Sequence, residues 1–258
     1  MNRAEVKRLL NEKAKQFNNP SFIINDPISI PHLFEKKQDI EISGLFSAAL
    51  AWGQRKTIIE NNIKLMQLME MSPYEFITQH EEKDLERFSG FVHRTFNTTD
   101  LLYFIYFLKN YYQTHSSLED AFIPLAQTNE EYGYDALTQF HHIFFSLDIL
   151  SQRTRKHIAT PERNSACKRL NMYLRWMVRR DDKGVDFGIW TRILPSQLIC
   201  PLDIHVQRVA RSLQLLTRKQ NDWKAAIELT RNLRMFNHDD PVIYDYALFG
   251  LGVMEKWR

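Results

Sequence analysis

A chain of 258 residues that is 44% apolar and 25% charged can bury a substantial core, and this composition excludes a disordered or low-complexity protein. A formal net charge of +3 does not by itself announce a nucleic-acid partner, and no apolar run approaches the ~18 residues of a membrane span. The only cysteines, Cys167 and Cys200, exclude a four-cysteine iron–sulfur loop, offer no zinc spacing and suit a reducing cytoplasm.

Taken in order, the chain opens on an amphipathic run without an apolar signal core. Val6, Leu9, Leu10, Ala14 and Phe17 mark one face of a helix over 3–17, stopped by Asn18-Asn19-Pro20. Pro27 and Pro31 predict an irregular connection over 21–33 with room for a short extended piece. The small and apolar residues from Asp39 to Trp52 predict a helix buried on most sides. After Gly53-Gln54-Arg55-Lys56 a second helix follows, through Ile58, Ile63, Leu65 and Met69. Ser72-Pro73 starts another, since proline fits the first turn. Residues 98–112 form an aromatic helix whose stripe belongs to a core, and further helices are expected from Ser117 to Ala126 and from Tyr134 to Leu150. The basic stretch 151–166 predicts a hairpin. Helices follow over 168–180, over 203–215 after a long connection, from Asn221-Asp222 to Met235, and from Asp239-Asp240-Pro241 onward. Eight glycines and the lack of hairpin-turn dipeptides between alternating runs leave no room for a sheet. The fold class is all-α.

Charge is unevenly spread: from Arg153 to Lys183 there are ten Lys or Arg against three acids. Such a stretch attracts phosphate or is simply a solvated helix face. Within it, Lys168, Arg175 and Arg179 recur at helical spacing and predict a phosphate-facing strip. In Pro201-Leu202-Asp203-Ile204-His205-Val206-Gln207-Arg208-Val209, Asp203 occupies a helix N-cap position. The run His238-Asp239-Asp240 raises a metal-dependent phosphohydrolase, but Asp240-Pro241 as a cap and first-turn pair explains it without metal.

The Asp203-x-His205-(apolar)-x-Arg208 run and the lysine that opens the preceding helix resemble the helix-hairpin-helix DNA glycosylases, the endonuclease III-like superfamily. Resemblance is good across 160–252 and loose over 40–110. The family's Leu-Pro-Gly-x-Gly hairpin is replaced here by Thr160-Pro161-Glu162-Arg163-Asn164-Ser165, without glycine. The long separation from Lys168 to Asp203 and the degenerate hairpin are features of the archaeal 8-oxoguanine glycosylase branch. The chain is also similar to a family of uncharacterised bacterial proteins related to these enzymes. The resemblance implies a bilobal helical bundle, with a central barrel over 45–200, a second lobe from 1–44 plus 201–258, and the site in the cleft between them. It implies a base-excision glycosylase with lyase activity on double-stranded DNA, without cofactor or metal, acting as a monomer on a flipped damaged base such as an oxidised purine. Lys168 would be the nucleophile and Asp203 the essential acid. Gln54, Asp245 and Phe249 would form the base pocket; Arg163, Arg169, Arg175, Arg179, His205 and Arg208 would contact DNA. The alternative is a non-catalytic DNA-binding protein on the same scaffold.

The chemistry agrees with those roles. Breaking a C1′–N bond passes through a cation-like sugar, which a fixed carboxylate stabilises. A lysine attacks C1′ only as the neutral amine, and the imine it forms permits β-elimination of the strand.

Overall fold

The computed structural model describes residues 1–148 and 152–257, and helix dominates it. The fold class is all-α, as expected. By contact the chain divides into two compact units. A terminal unit comprises Met1–Phe22, Leu125–Thr138 and Thr160–Arg258; an inner unit comprises Ile23–Pro124 and Gln139–Ala159. These boundaries differ from the expected lobes: residues 23–44 join the inner unit and 160–200 the terminal one. Lys168 and Asp203 therefore lie within one unit rather than on separate lobes.

In the terminal unit, α1 (Arg3–Phe17) is started by a reciprocal cap between Asn2 and Glu5, and it buries Val6, Leu10, Ala14 and Phe17. In the inner unit, α2 (Lys37–Ala49) is buried from Ile40 onward, and α3 (Arg55–Leu68) and α4 (Pro73–Gln79) follow. Pro27 and Pro31 each open a short 3-10 turn, so the 21–33 connection has no extended piece. The buried Glu41 of α2 accepts from the Tyr112 hydroxyl at 2.8 Å and from the Leu118 N–H at 3.1 Å. Residues expected as a helix over 117–126 form only a 3-10 turn, Leu118–Phe122.

The expectation of no sheet is corrected by a minimal antiparallel ladder, β1 (Val92–His93) with β2 (Phe96–Asn97), turned through Arg94 at φ 57°. Two-residue strands are too short to print an alternating pattern. Asn97 then caps α5 (Thr98–Tyr112), whose Phe104 and Phe107 pack with Phe140 and Phe144. Those two rings stand on α6 (Tyr132–Phe144); the remainder of the expected 134–150 helix includes Ile149 and Leu150, outside the described residues. The expected hairpin over 151–166 is instead two 3-10 turns, Gln152–Lys156 and Pro161–Arg163, with Ser151 outside the described residues. The reason is a buried carboxylate: Asp100 accepts from the Thr154 hydroxyl at 2.8 Å and pairs with Arg153 at 3.1 Å and His157 at 3.3 Å.

The rest of the terminal unit is α7 (Lys168–Val178), α8 (Ile204–Ser212), α9 (Trp223–Arg234) and α10 (Tyr244–Val253). Helix α10 is buried on nearly every side, which is why its sequence is apolar all round. It packs on α1 and α8. Gly250 makes the first contact possible, since a Cβ there would overlap the Phe17 ring; a Cβ on Gly252 would come within 3.1 Å of His205.

Candidate active site

Helix α7 begins sharply. Asn164 (φ 55°) ends the Pro161–Arg163 turn in the left-handed region, and Cys167 (φ 48°) repeats that conformation just before Lys168. Asparagine is one of the few side chains that tolerate the backbone Asn164 adopts. The turn is tied down by the Asn164 carbonyl, which accepts from the Trp223 N–H at 3.1 Å, and by the Asn164 amide, which donates to Asp222 at 3.1 Å.

From Leu170 to Val178 every residue of α7 is buried; only its first turn, Lys168 and Arg169, reaches the surface. The 181–200 connection folds back along this helix, with Phe187 N–H donating to the Trp176 carbonyl at 2.8 Å and Trp190 N–H to Met177 at 2.9 Å. This return run spans most of the long sequence gap between Lys168 and Asp203. It ends at Cys200, whose N–H donates to the Thr230 hydroxyl at 3.0 Å, and Asp203 then caps α8.

The two carboxylate oxygens of Asp203 have separate tasks. Oδ1 accepts from His205 N–H at 2.8 Å and Val206 N–H at 2.9 Å; Oδ2 lies 3.9 Å from Lys168 Nζ. The lysine side chain is 30% exposed and the aspartate 19%, so the pair is reachable from solvent. A carboxylate held by one oxygen on a helix N-terminus presents the other in a defined position. Sequence reasoning singled out both residues, and the structure brings them together.

The other expected site residues are distributed differently. Asp245 is buried and ion-paired with the buried Arg175. Burial, opposed by Arg175 and reinforced by the charge of Asp203, pushes the Asp245 carboxyl up to about 6. Arg175 Nε also lies 3.3 Å from Asp186, and Arg179 lies within 3.2 Å of Asp186, 2.8 Å of Asp240 and 2.7 Å of Asp181. Both guanidinium groups stand over the Tyr246 ring, at 4.4 and 5.6 Å. The expected phosphate-facing strip is therefore corrected: Arg175 and Arg179 turn inward and are spoken for by carboxylates. Removing one partner of such a buried pair costs about 3–5 kcal/mol. Phe249 is half-buried and meets Phe22 edge-on at 5.9 Å.

Arg163 is exposed and Arg169 half-buried, with burial holding the Arg169 guanidinium down at about 10. Arg208 is exposed, yet it donates to the Gly252 carbonyl at 2.7 Å and so closes the end of α10; His205 is half-buried beside the same glycine. Gln54 belongs to the inner unit, where it is exposed at the head of α3. Neither cysteine is a nucleophile at neutral pH: burial pushes the Cys167 thiol up to about 12 and Cys200 well above its ordinary value. Sequence reasoning missed Asp186. The signal was present in Arg175 and Arg179, two arginines one turn apart among apolar residues, which demand a buried counter-charge.

The family model described as protein of unknown function (DUF2400) matches residues 26–254. The chain belongs to the DUF2400 family. The matched span contains Lys168, Asp203 and every carboxylate of the buried network, and it leaves out α1. No curated protein and no solved structure matches the chain. Among the described residues, no helix is long and apolar enough to cross a membrane.

Proposed function

We propose that this chain is a base-excision DNA glycosylase with lyase activity that attacks C1′ of a damaged nucleotide through Lys168. The observation that carries the reading is the convergence of Lys168 Nζ and Asp203 Oδ2 to 3.9 Å at the solvent-reachable ends of two helices. An amine and a carboxylate at this spacing form the minimal set for imine chemistry at a sugar. The carboxylate stabilises positive charge on the sugar as the C1′–N bond breaks, and the departing base keeps the electron pair. The neutral amine forms the C1′–N bond in its place, and ring opening gives a protonated imine. Loss of the C2′ proton then expels the 3′ phosphate.

Double-stranded DNA is the partner on this reading, and an oxidised purine is the base that the resemblance suggests. The alternative, a non-catalytic DNA-binding protein, depends more heavily on the basic strip, and two of its arginines face inward. The test is borohydride trapping with a Lys168→Gln variant. The variant is expected to lose the covalent protein–DNA adduct while retaining duplex affinity, because a nucleophile adds little to ground-state binding. A variant that traps as well as the parent would remove Lys168 from the mechanism.

A further inference from the structure

A cleft of about 310 Å³ opens in the terminal unit, at the end of α8 opposite Asp203. Its walls are Arg3 and Val6 of α1, Leu213 and Gln214 just beyond α8, and Asn232 and Phe236 in and after α9. We propose that this cleft binds a small carboxylic acid with a flat apolar body, of the arylacetate kind, and that Arg3 holds its carboxylate. Occupancy of the cleft is independent of the chemistry of Lys168 and Asp203.

Of the side chains that line the cleft among the described residues, only that of Arg3 is charged. It pairs with no carboxylate among those residues. Glu5, on the same first turn of α1, is held by the reciprocal cap, where it accepts from the Asn2 N–H at 2.8 Å. Arg3 meets neutral groups instead. Its Nη2 donates to Asn232 Oδ1 at 3.3 Å and lies 3.0 Å from Met235 Sδ, and the guanidinium stands 5.9 Å from the centre of the Phe236 ring. Asn232 is fixed in that role, because its amide nitrogen donates to the carbonyls of Leu215 at 2.9 Å and Glu228 at 3.2 Å. All of these contacts use Nη2, so Nε and Nη1 keep their donors for a ligand. A guanidinium fork of this kind matches a carboxylate with two parallel hydrogen bonds.

The remaining walls select the rest of the ligand. Val6, Leu213, Leu215 and Phe236 give the cleft an apolar floor, and Met1 at the rim is 64% exposed. Methionine side chains adapt to the shape of an apolar guest, and Met235, beside Arg3, is likewise exposed. Gln214 adds an adaptable polar contact. Its backbone is set at φ 57° where α8 ends, and its exposed side chain makes no hydrogen bond among the described residues. A bare anion would leave the floor unused, and an uncharged apolar body would leave Arg3 unpaired. Ligand pockets run from about 300 to 1,000 Å³, so this volume suits a single ring with a short acid arm.

The experiment titrates the isotope-labelled full chain with phenylacetate, phenylacetamide, acetate and inorganic phosphate, following backbone amide shifts. The same titrations are made on Arg3→Gln, which keeps the fold because Arg3 is exposed. Phenylacetate is expected to shift the Leu213, Gln214, Leu215 and Phe236 amides saturably, with a millimolar Kd in keeping with its ~10 non-hydrogen atoms. Phenylacetamide, acetate and phosphate should bind the parent about tenfold or more weakly, and Arg3→Gln should bind phenylacetate weakly to the same degree, since each lacks the charge-assisted pair or the apolar body. Equal binding of phenylacetamide would make the cleft merely apolar, and equal binding of acetate or phosphate would make Arg3 merely a surface cation. Either result overturns the proposal, as does unchanged affinity in Arg3→Gln or the absence of saturable shifts at these amides. None of these results bears on Lys168 or Asp203.

Discussion

Replacing Asp203 separates its structural role from its chemical one, because its two oxygens do different work. Oδ1 satisfies the His205 and Val206 N–H groups at 2.8 and 2.9 Å, and an asparagine carbonyl can do the same. Asp203→Asn therefore keeps the cap and loses only the charge facing Lys168. Two unit charges 3.9 Å apart attract by about 4 kcal/mol at an effective dielectric of ~20. Partial exposure of both groups cuts the net contribution to about 0–1 kcal/mol. Asp203→Ala also loses the cap, a further cost of about 1 kcal/mol, or a fall in Tm of about 2–4 °C for a domain of this size. Activity should respond in another proportion. Removing a fixed group that stabilises transition-state charge costs about 10²–10³ in rate. The Asn variant is thus expected to be folded, to bind DNA, and to react at least a hundredfold more slowly in single-turnover trapping and nicking. Urea denaturation of both variants alongside those rates is the assay. An Asn variant that reacts at the parental rate would reduce Asp203 to a helix cap and refute the reasoning.

Further outcomes follow from the packing and the charges. Arg163→Ala should lower the salt dependence of duplex binding by about one counterion, whereas Arg175→Met should lower stability by about 3–5 kcal/mol through stranded buried carboxylates; salt-titrated binding and urea midpoints check the pair. Gly250→Ala should destabilise by about 1–3 kcal/mol, since its Cβ would overlap Phe17 between α1 and α10; an unchanged urea midpoint would contradict that contact. The Arg218 guanidinium beside Asp222 holds that carboxyl down at about 2, so its contribution is present above the ordinary range near 4 and is lost as pH falls toward 2. Asp222→Asn retains the α9 cap and should show its stability deficit at pH 5–7, with the deficit vanishing near pH 2. Asp245 has the opposite sign: raised to about 6, it binds its proton more tightly in the folded chain, so the parent loses this contribution as pH climbs from about 4 through 6.

What could be read from the sequence was local. Asp203, Asp222 and Asp240 announced themselves as caps because each precedes an apolar-periodic run, and the bounds of the aromatic helix over 98–112 match the structure. Lys168 stood out for the same reason, as the first residue of such a run. What could not be read depends on partners distant in the chain. Arg175 and Arg179 resemble a solvated strip until Asp240 and Asp245 arrive from the start of the last helical segment, some sixty to seventy residues on. The division into units likewise rests on contacts between distant parts of the chain, which join residues 160–200 to Met1–Phe22 rather than to 45–124. The β1–β2 ladder and the left-handed Cys167 rest on backbone geometry that leaves no compositional mark.

The central claim is that Lys168 forms the covalent bond to C1′. Its most direct measurement is proteolysis and mass mapping of the protein after borohydride reduction on an abasic duplex. The account predicts a sugar adduct on the peptide that carries Lys168 and on no other lysine. An adduct mapped to a different lysine, or no adduct at all, would contradict it.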